Sequence, residues 1–125
     1  MQEPEDLTPE QLEELRTDLA ELRRDLRAAV AAGETASETV ALDQTAVGRL
    51  SRMDAMQVQE MAKASLRNHK RRLVQVDNAL RLFEDDEYGL CRACDDPVGY
   101  RRLKARPETP LCLRCQSEIE RRRRR

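Results

Sequence analysis

Tryptophan is absent from this 125-residue chain, which also has only one phenylalanine, two tyrosines and one histidine. Aromatics make up 2% of the residues and charged groups 38%, so a broad globular core is excluded. A chain this short of large apolar groups stays folded through helix pairing, a bound metal, or both. No apolar run approaches the ~18 residues that a membrane helix requires. The opening Met1-Gln2-Glu3-Pro4-Glu5-Asp6 is acidic and lacks the basic-then-apolar order of a signal peptide. The cytoplasm is therefore the expected location.

What the chain does have is Ala, Glu, Leu and Arg in abundance, a composition that favours long helices. Its formal net charge of -1 hides an asymmetry. The first thirty residues carry nine acids against four bases, whereas Arg101 to the end carries ten bases against three acids. The two ends can present opposite fields to a large partner.

A first helix is announced by Thr8 as N-cap, Pro9 at the first helical position and Gln11 completing a capping box. Leu12, Leu15, Leu19, Leu22 and Leu26 follow at spacings of three and four, then Ala29 and Val30, which makes a coiled-coil seam. Gly33 is expected to weaken or end it. Residues 33 to 50 are less regular, with Gly33, Thr35, Ser37, Thr39, Thr45 and Gly48 favouring a break or loop. A second helix is expected from about Ser51 to about Asp86. Its seam runs Val58, Ala62, Leu66, His69, Leu73, Val76, Leu80 and Phe83, and Tyr88-Gly89 is expected to end it.

The fold class is thus mainly α: a long antiparallel helical hairpin over residues 1–87, followed by a small finger and a short terminal helix over 88–125. The terminal helix is expected over Gln116–Arg125 with Ile119 as its apolar anchor. The midpoint of the hairpin sets its tip around Val47-Gly48-Arg49, within a wider tip region of 43–55, with Asp43 and Asp54 spaced almost evenly on either side. Those two acids are either working groups or solvated loop residues and helix caps. Arg67, Lys70, Arg71 and Arg72 form a basic cluster on the second helix. It is either a solvated face paired with Glu13, Glu14 and Asp18 or a partner-facing patch.

All four cysteines lie in two Cys-x-x-Cys pairs, Cys91/Cys94 and Cys112/Cys115, with 17 residues between the pairs. This is the spacing of a four-thiolate zinc site in a reducing compartment. Four protein ligands leave no open position for water or substrate, so the one zinc is structural rather than catalytic. A redox dithiol is the competing reading, but the strand-helix context it needs is missing. His69 lies roughly 33 Å before Cys91 along a helix rising about 1.5 Å per residue, so it is a seam residue rather than a ligand.

The residues around the cysteines are more specific than a generic zinc ribbon. Tyr88-Gly89-x-Cys91-x-x-Cys94, Gly99-x-Arg101-Arg102-Leu103-x-Ala105-Arg106-Pro107 and Leu111-Cys112-x-x-Cys115 together resemble the DksA/TraR C4-type zinc-finger family. The resemblance is strong over residues 84 to 116 and looser through the hairpin. It implies a non-enzymatic transcription regulator that binds RNA polymerase and inserts its coiled coil into the secondary channel. An arm of this length reaches roughly 50 Å. By this resemblance the N-terminal part of the longer family members is expected to be missing, since the sequence starts almost at the first hairpin helix.

The tip departs from the family pattern of two aspartates three apart followed by alanine. Ungapped alignment from the cysteines puts Gly48 and Ser51 at the aspartate positions, and Asp54-Ala55 falls one turn later. Asp43, Arg49, Ser51, Arg52, Asp54 and Ala55 are the candidate polymerase-contacting residues by this resemblance. Where some family members hold the alarmone ppGpp with lysines, Gln75 and Gln116 stand here and only Arg106 stays basic, so weak dependence is expected. The chain is expected to be a monomer with no membrane partner and no sequence-specific DNA binding, since no recognition helix follows the zinc turns. The alternative is a zinc-ribbon adaptor whose hairpin binds another protein and whose arginine tail binds nucleic acid.

Overall fold

The described residues form four helices: α1 (Pro9–Asp43), α2 (Arg49–Glu84), α3 (Tyr100–Ala105) and α4 (Leu113–Arg123). The computed structural model describes residues 5–43 and 49–124, with side chains described over 5–36 and 52–124. Among them there is no strand, only an isolated antiparallel bridge between Leu90 and Pro97. Val47 and Gly48, expected at the tip, lie outside the described residues, while Arg49 opens α2.

The start of α1 follows the capping box residue by residue. The Thr8 N–H donates to Gln11 Oε1 at 3.0 Å, and the Gln11 N–H donates to Thr8 Oγ1 at 3.1 Å. Two amides that the first turn cannot satisfy are thereby paired. The helix then continues through Gly33 to Asp43, so the expected break over 33–43 is not there. Gly33 has a packing role instead, because a methyl group on it would stand 3.0 Å from Leu66 Cδ1. Glycine is tolerated inside the helix because it lets the Leu66 side chain come close.

The chain divides into two compact units. The first joins the residues up to Arg23 with those from Gln75 onward. Its helical part is antiparallel, with the Arg16 guanidinium 6.0 Å from the Phe83 ring centre and Arg23 Nε 2.8 Å from Asp77 Oδ1. Leu15, Leu19 and Val76 are fully buried there, with Ala79 beside them. The second unit spans Arg24–Val74. Leu26 is its one buried residue among the described side chains; Leu66, His69 and Leu73 are half-buried. Two helices alone cannot seal a seam from water on both sides, so most of this seam is half-buried.

Val58 is the one expected seam residue that faces solvent, at 59% exposure. The neighbouring Gln59 is half-buried in its stead. The helical period places position 59 in the seam, although the apolar side chain is at 58. The basic cluster also pairs differently from expectation. Lys70 Nζ meets Glu34 Oε1 at 3.0 Å, whereas Glu14 and Asp18 are taken by Lys104.

The end of α2 comes before Tyr88-Gly89. The Glu87 N–H bonds to the Leu82 carbonyl and the Asp86 N–H to the Phe83 carbonyl, with Asp86 at φ 54°. This is a Schellman closure in which aspartate takes the left-handed position usually given to glycine. α4 begins at Leu113, three residues before the expected start, and α3 was not foreseen from sequence.

These burial differences carry a stability expectation. Leu19→Ala should cost about 3 kcal/mol by removing a fully buried side chain. Val58→Ala should stay within about 0.5 kcal/mol. Thermal unfolding followed by circular dichroism separates the two, and equal shifts in Tm would contradict the burial pattern.

Candidate functional site

The first cysteine pair sits on a tight knuckle built by the backbone. The Cys91 N–H bonds to the Asp96 carbonyl at 2.8 Å, and the Asp95 N–H returns to the Cys91 carbonyl at 2.9 Å. Asp95 takes φ 62° to close this turn. Gly89 at φ 99° enters it, and its carbonyl accepts from Val98 N–H at 2.8 Å. A side chain at Gly89 would also collide with Leu7, whose Cδ1 would lie 2.9 Å from an added Cβ. Both the positive φ and the space require glycine here.

The second pair opens α4. Cys112 is the N-cap of that helix, and its sulfur accepts from the Cys115 N–H at 3.4 Å. Ala93 N–H donates to the Cys91 sulfur in the same way at 3.4 Å. The two knuckles are joined by Arg92 N–H on the Pro110 carbonyl at 2.9 Å. Arg102 holds the approach to the second pair, with Nε on the Leu111 carbonyl at 3.0 Å and a second nitrogen 3.3 Å from Thr109 Oγ1.

All four sulfurs lie within 4.8 Å of one another, and none is in a disulfide. Cys94 and Cys112 are 3.8 Å apart. Zn–S bonds of about 2.3 Å in a tetrahedron put sulfurs about 3.8 Å apart, so this donor set fits one zinc ion. Burial opposes ionisation of Cys91, yet backbone N–H groups bring its thiol down to about 6. The Cys115 thiol is pushed up to about 12, first by the Cys112 side chain and then by burial. Four thiolates this close repel one another, and a dication removes that repulsion. The protein therefore has one structural zinc, held by Cys91, Cys94, Cys112 and Cys115. His69 is not in the cluster, as expected from its sequence position.

The finger is tied to the helices by the few aromatic groups available. Tyr88 stacks on Phe83 with ring centres 4.1 Å apart and donates its buried hydroxyl to the Pro107 carbonyl at 2.8 Å. Burial raises the Tyr88 hydroxyl above the ordinary tyrosine range. Tyr100 in α3 donates to Glu14 Oε2 at 2.7 Å, and Lys104 contacts both Glu14 and Asp18 at 2.8 Å. Lys104, followed by Tyr100, holds the Glu14 carboxyl below the usual carboxylate range, and Asp18 followed by Glu14 raises the Lys104 amine. These partners were not legible in sequence, and neither was Glu108, whose buried carboxylate lies 3.5 Å from Arg106 Nε. An acid between Pro107 and Thr109 carries no signal of burial.

The expected tip residues have a separate setting. Asp43 closes α1 and Arg49 opens α2, and the side chains of Asp43, Arg49 and Ser51 lie outside those described. Arg52 and Asp54 are exposed on α2, and Ala55 is half-buried. Asp54 lies inside the helix, so it is not an N-cap. Met53, Met56, Val58 and Met61 around it are exposed by 59–71%. Of the three residues weighed for an alarmone pocket, Gln116 donates to Glu120 at 3.1 Å and Arg106 is exposed. Gln75 borders a cavity of about 330 Å³ with Arg81, Tyr88 and Glu108.

Comparison with known proteins adds a family and a fold. Residues 86–121 match the prokaryotic dksA/traR C4-type zinc finger. The RNA polymerase-binding transcription factor DksA of Haemophilus influenzae is 33% identical over 91 residues, covering 70% of this chain and 63% of that protein. The protein of the same name from Escherichia coli K12 is 36% identical over 55 residues, covering 43% of this chain. That match spans only 36% of the E. coli protein. Transcription factor DksA2 from Pseudomonas aeruginosa has the same fold, with a TM-score of 0.75 at 23% identity over 94% of this chain and 88% of that one.

Two outcomes test this description. Metal analysis should find one zinc per chain, and chelation or Cys94→Ser should make trypsin cut rapidly between Arg101 and Arg106; a zinc-free chain as resistant as the loaded one would contradict a structural role. In carboxyl NMR, Glu14 should titrate below ordinary glutamates and return to their range in Lys104→Met. A carboxylate with a lowered folded value adds stability above its unfolded value and loses it as pH falls through the folded one. A raised lysine loses its contribution only at alkaline pH, so the Glu14–Lys104 tie holds across the neutral range.

Proposed function

We propose that this chain is a DksA-like protein of the dksA/traR C4-type zinc-finger family, a non-enzymatic, cytoplasmic transcription regulator that binds RNA polymerase as a monomer. The observation that carries this reading is the 33% identity over 91 residues to a protein that is itself named RNA polymerase-binding. Among the described residues no helix is long and apolar enough to cross a membrane, which is consistent with it. The zinc site has a closed ligand set and supplies no reaction centre.

In this reading the connected ends of α1 and α2 enter the polymerase secondary channel. Support comes from the chemistry exposed there. Asp54 offers a carboxylate that no capping role consumes, flanked on the same helix by Met53 and Met56. Exposed methionines adapt to irregular protein surfaces, and a set of them on one helix favours protein contact over solvation. Beside a catalytic metal, which is the largest local charge, an added carboxylate shifts the local field. Asp43, Arg49, Ser51, Arg52 and Ala55 are the accompanying contact candidates. Control by ppGpp is weak in this reading, because Gln75 and Gln116 are neutral and Arg106 lies 3.5 Å from the Glu108 carboxylate.

The test combines capture and transcription. Core RNA polymerase should retain the wild-type chain, and Asp54→Ala should bind within about twofold of it, as exposed substitutions do. The same variant should lose most of the effect on transcription in a reconstituted assay. No capture by core polymerase would overturn the reading in favour of an adaptor with another partner. Full activity of Asp54→Ala at every promoter would remove Asp54 as the working acid.

A further inference from the structure

The polymerase reading gives no role to the most concentrated charge in the molecule. Arg121, Arg122 and Arg123 form the last turn of α4, and Arg124 caps it by donating its N–H to the carbonyls of Arg121 and Arg122. All four are exposed, and α4 contributes no buried residue. Packing therefore does not explain the run. Among the described residues, Arg122 alone of the four has a carboxylate within ion-pair range, Glu118 at 3.9 Å. Glu120, the next acid, is held by Gln116.

The geometry of the run selects among polyanions. Consecutive residues are rotated by about 100° around an α-helix, so four in a row surround it rather than line one side. An acidic protein surface faces such a helix from one direction only. A B-form major groove about 12 Å wide admits a helix about 10–12 Å across and places phosphates on both flanks. The deep, narrow major groove of A-form RNA does not admit it. Guanidinium groups, the sole cations of this run, match phosphate oxygens two at a time.

The groove beside α4 adds little free charge. Arg101, Arg106 and Arg114 line it with Leu113 and Ser117, but so do Glu5, Asp6 and Asp96. Arg114 pairs with Asp96 at 3.3 Å and Arg106 with Glu108 at 3.5 Å, so the arginine run itself carries the attraction. Apart from the arginines, which can also pair with guanine, base-reading groups are scarce: α4 has no aromatic residue, and its one amide side chain is tied to Glu120. We infer that α4 is a sequence-independent docking element for the phosphate backbone of duplex DNA. It needs no polymerase, so this inference stands or falls apart from the function proposed above.

The experiment is fluorescence anisotropy of the intact zinc-loaded chain with short DNA duplexes of two unrelated sequences. Both should bind alike, and affinity should fall between 50 and 200 mM salt with a log–log slope of about -3 to -4, near -0.9 per neutralised phosphate. Arg121→Gln/Arg123→Gln/Arg124→Gln should reduce that slope by nearly three and weaken binding at least about tenfold at the lowest salt. The same three positions changed to lysine should keep most of the slope. Arg67→Gln, an exposed charge on α2, should leave both measurements unchanged. Zinc content confirms that each variant keeps its finger. No duplex binding at low salt, binding indifferent to the triple glutamine variant, or tighter capture of polyglutamate than of duplex would each overturn the inference.

Discussion

Closure of four sulfurs around one zinc ion is the constraint on which the remaining structure depends. It fixes two turns that have little else to hold them. Cys91 belongs to a knuckle that needs positive φ at Gly89 and Asp95, and Cys112 starts a helix that buries nothing. Val98 and Leu103 are the buried aliphatic side chains of the finger. So small a core is below what a domain needs to stay folded alone, and metal binding supplies the difference. Because Cys112 is both ligand and cap, the ion and the start of α4 form one cooperative element.

From that element order passes to the helices through specific contacts. Pro107 accepts the Tyr88 hydroxyl, Tyr88 stacks on Phe83, and Phe83 receives the Arg16 guanidinium. A second route runs through Tyr100 and Lys104 to Glu14 and Asp18. The second unit lacks such support, with Leu26 as its buried residue among the described side chains and an exchange of Val58 for Gln59 in the seam. Sparse burial lowers the local free energy of opening in this unit.

Much of this architecture was legible in the sequence because it rests on local or repeated signals. The Thr8–Gln11 box, the leucine seam from Leu12 to Leu26 and the paired cysteine turns each need only a few neighbouring residues to be recognised. The errors come from residues with two physical uses. Gly33 has the signature of a helix breaker, but it makes room for Leu66. Tyr88-Gly89 has that of a helix stop, but Asp86 performs that closure and Gly89 shapes the zinc knuckle. The Tyr100–Glu14 and Lys104–Asp18 bonds each join residues 86 positions apart, and no local pattern encodes such pairing.

The placement of the tyrosines has an optical consequence. Without tryptophan, near-ultraviolet absorption and intrinsic emission come from two tyrosines. Tyr88 is buried against Phe83 and Tyr100 is bonded to a carboxylate, and both belong to the unit that contains the finger. Arg24–Val74 contains no tyrosine and is dark in this spectral range. The chain is thus naturally labelled at the junction beside its metal, and its emission reports on that junction without background from the rest of the molecule.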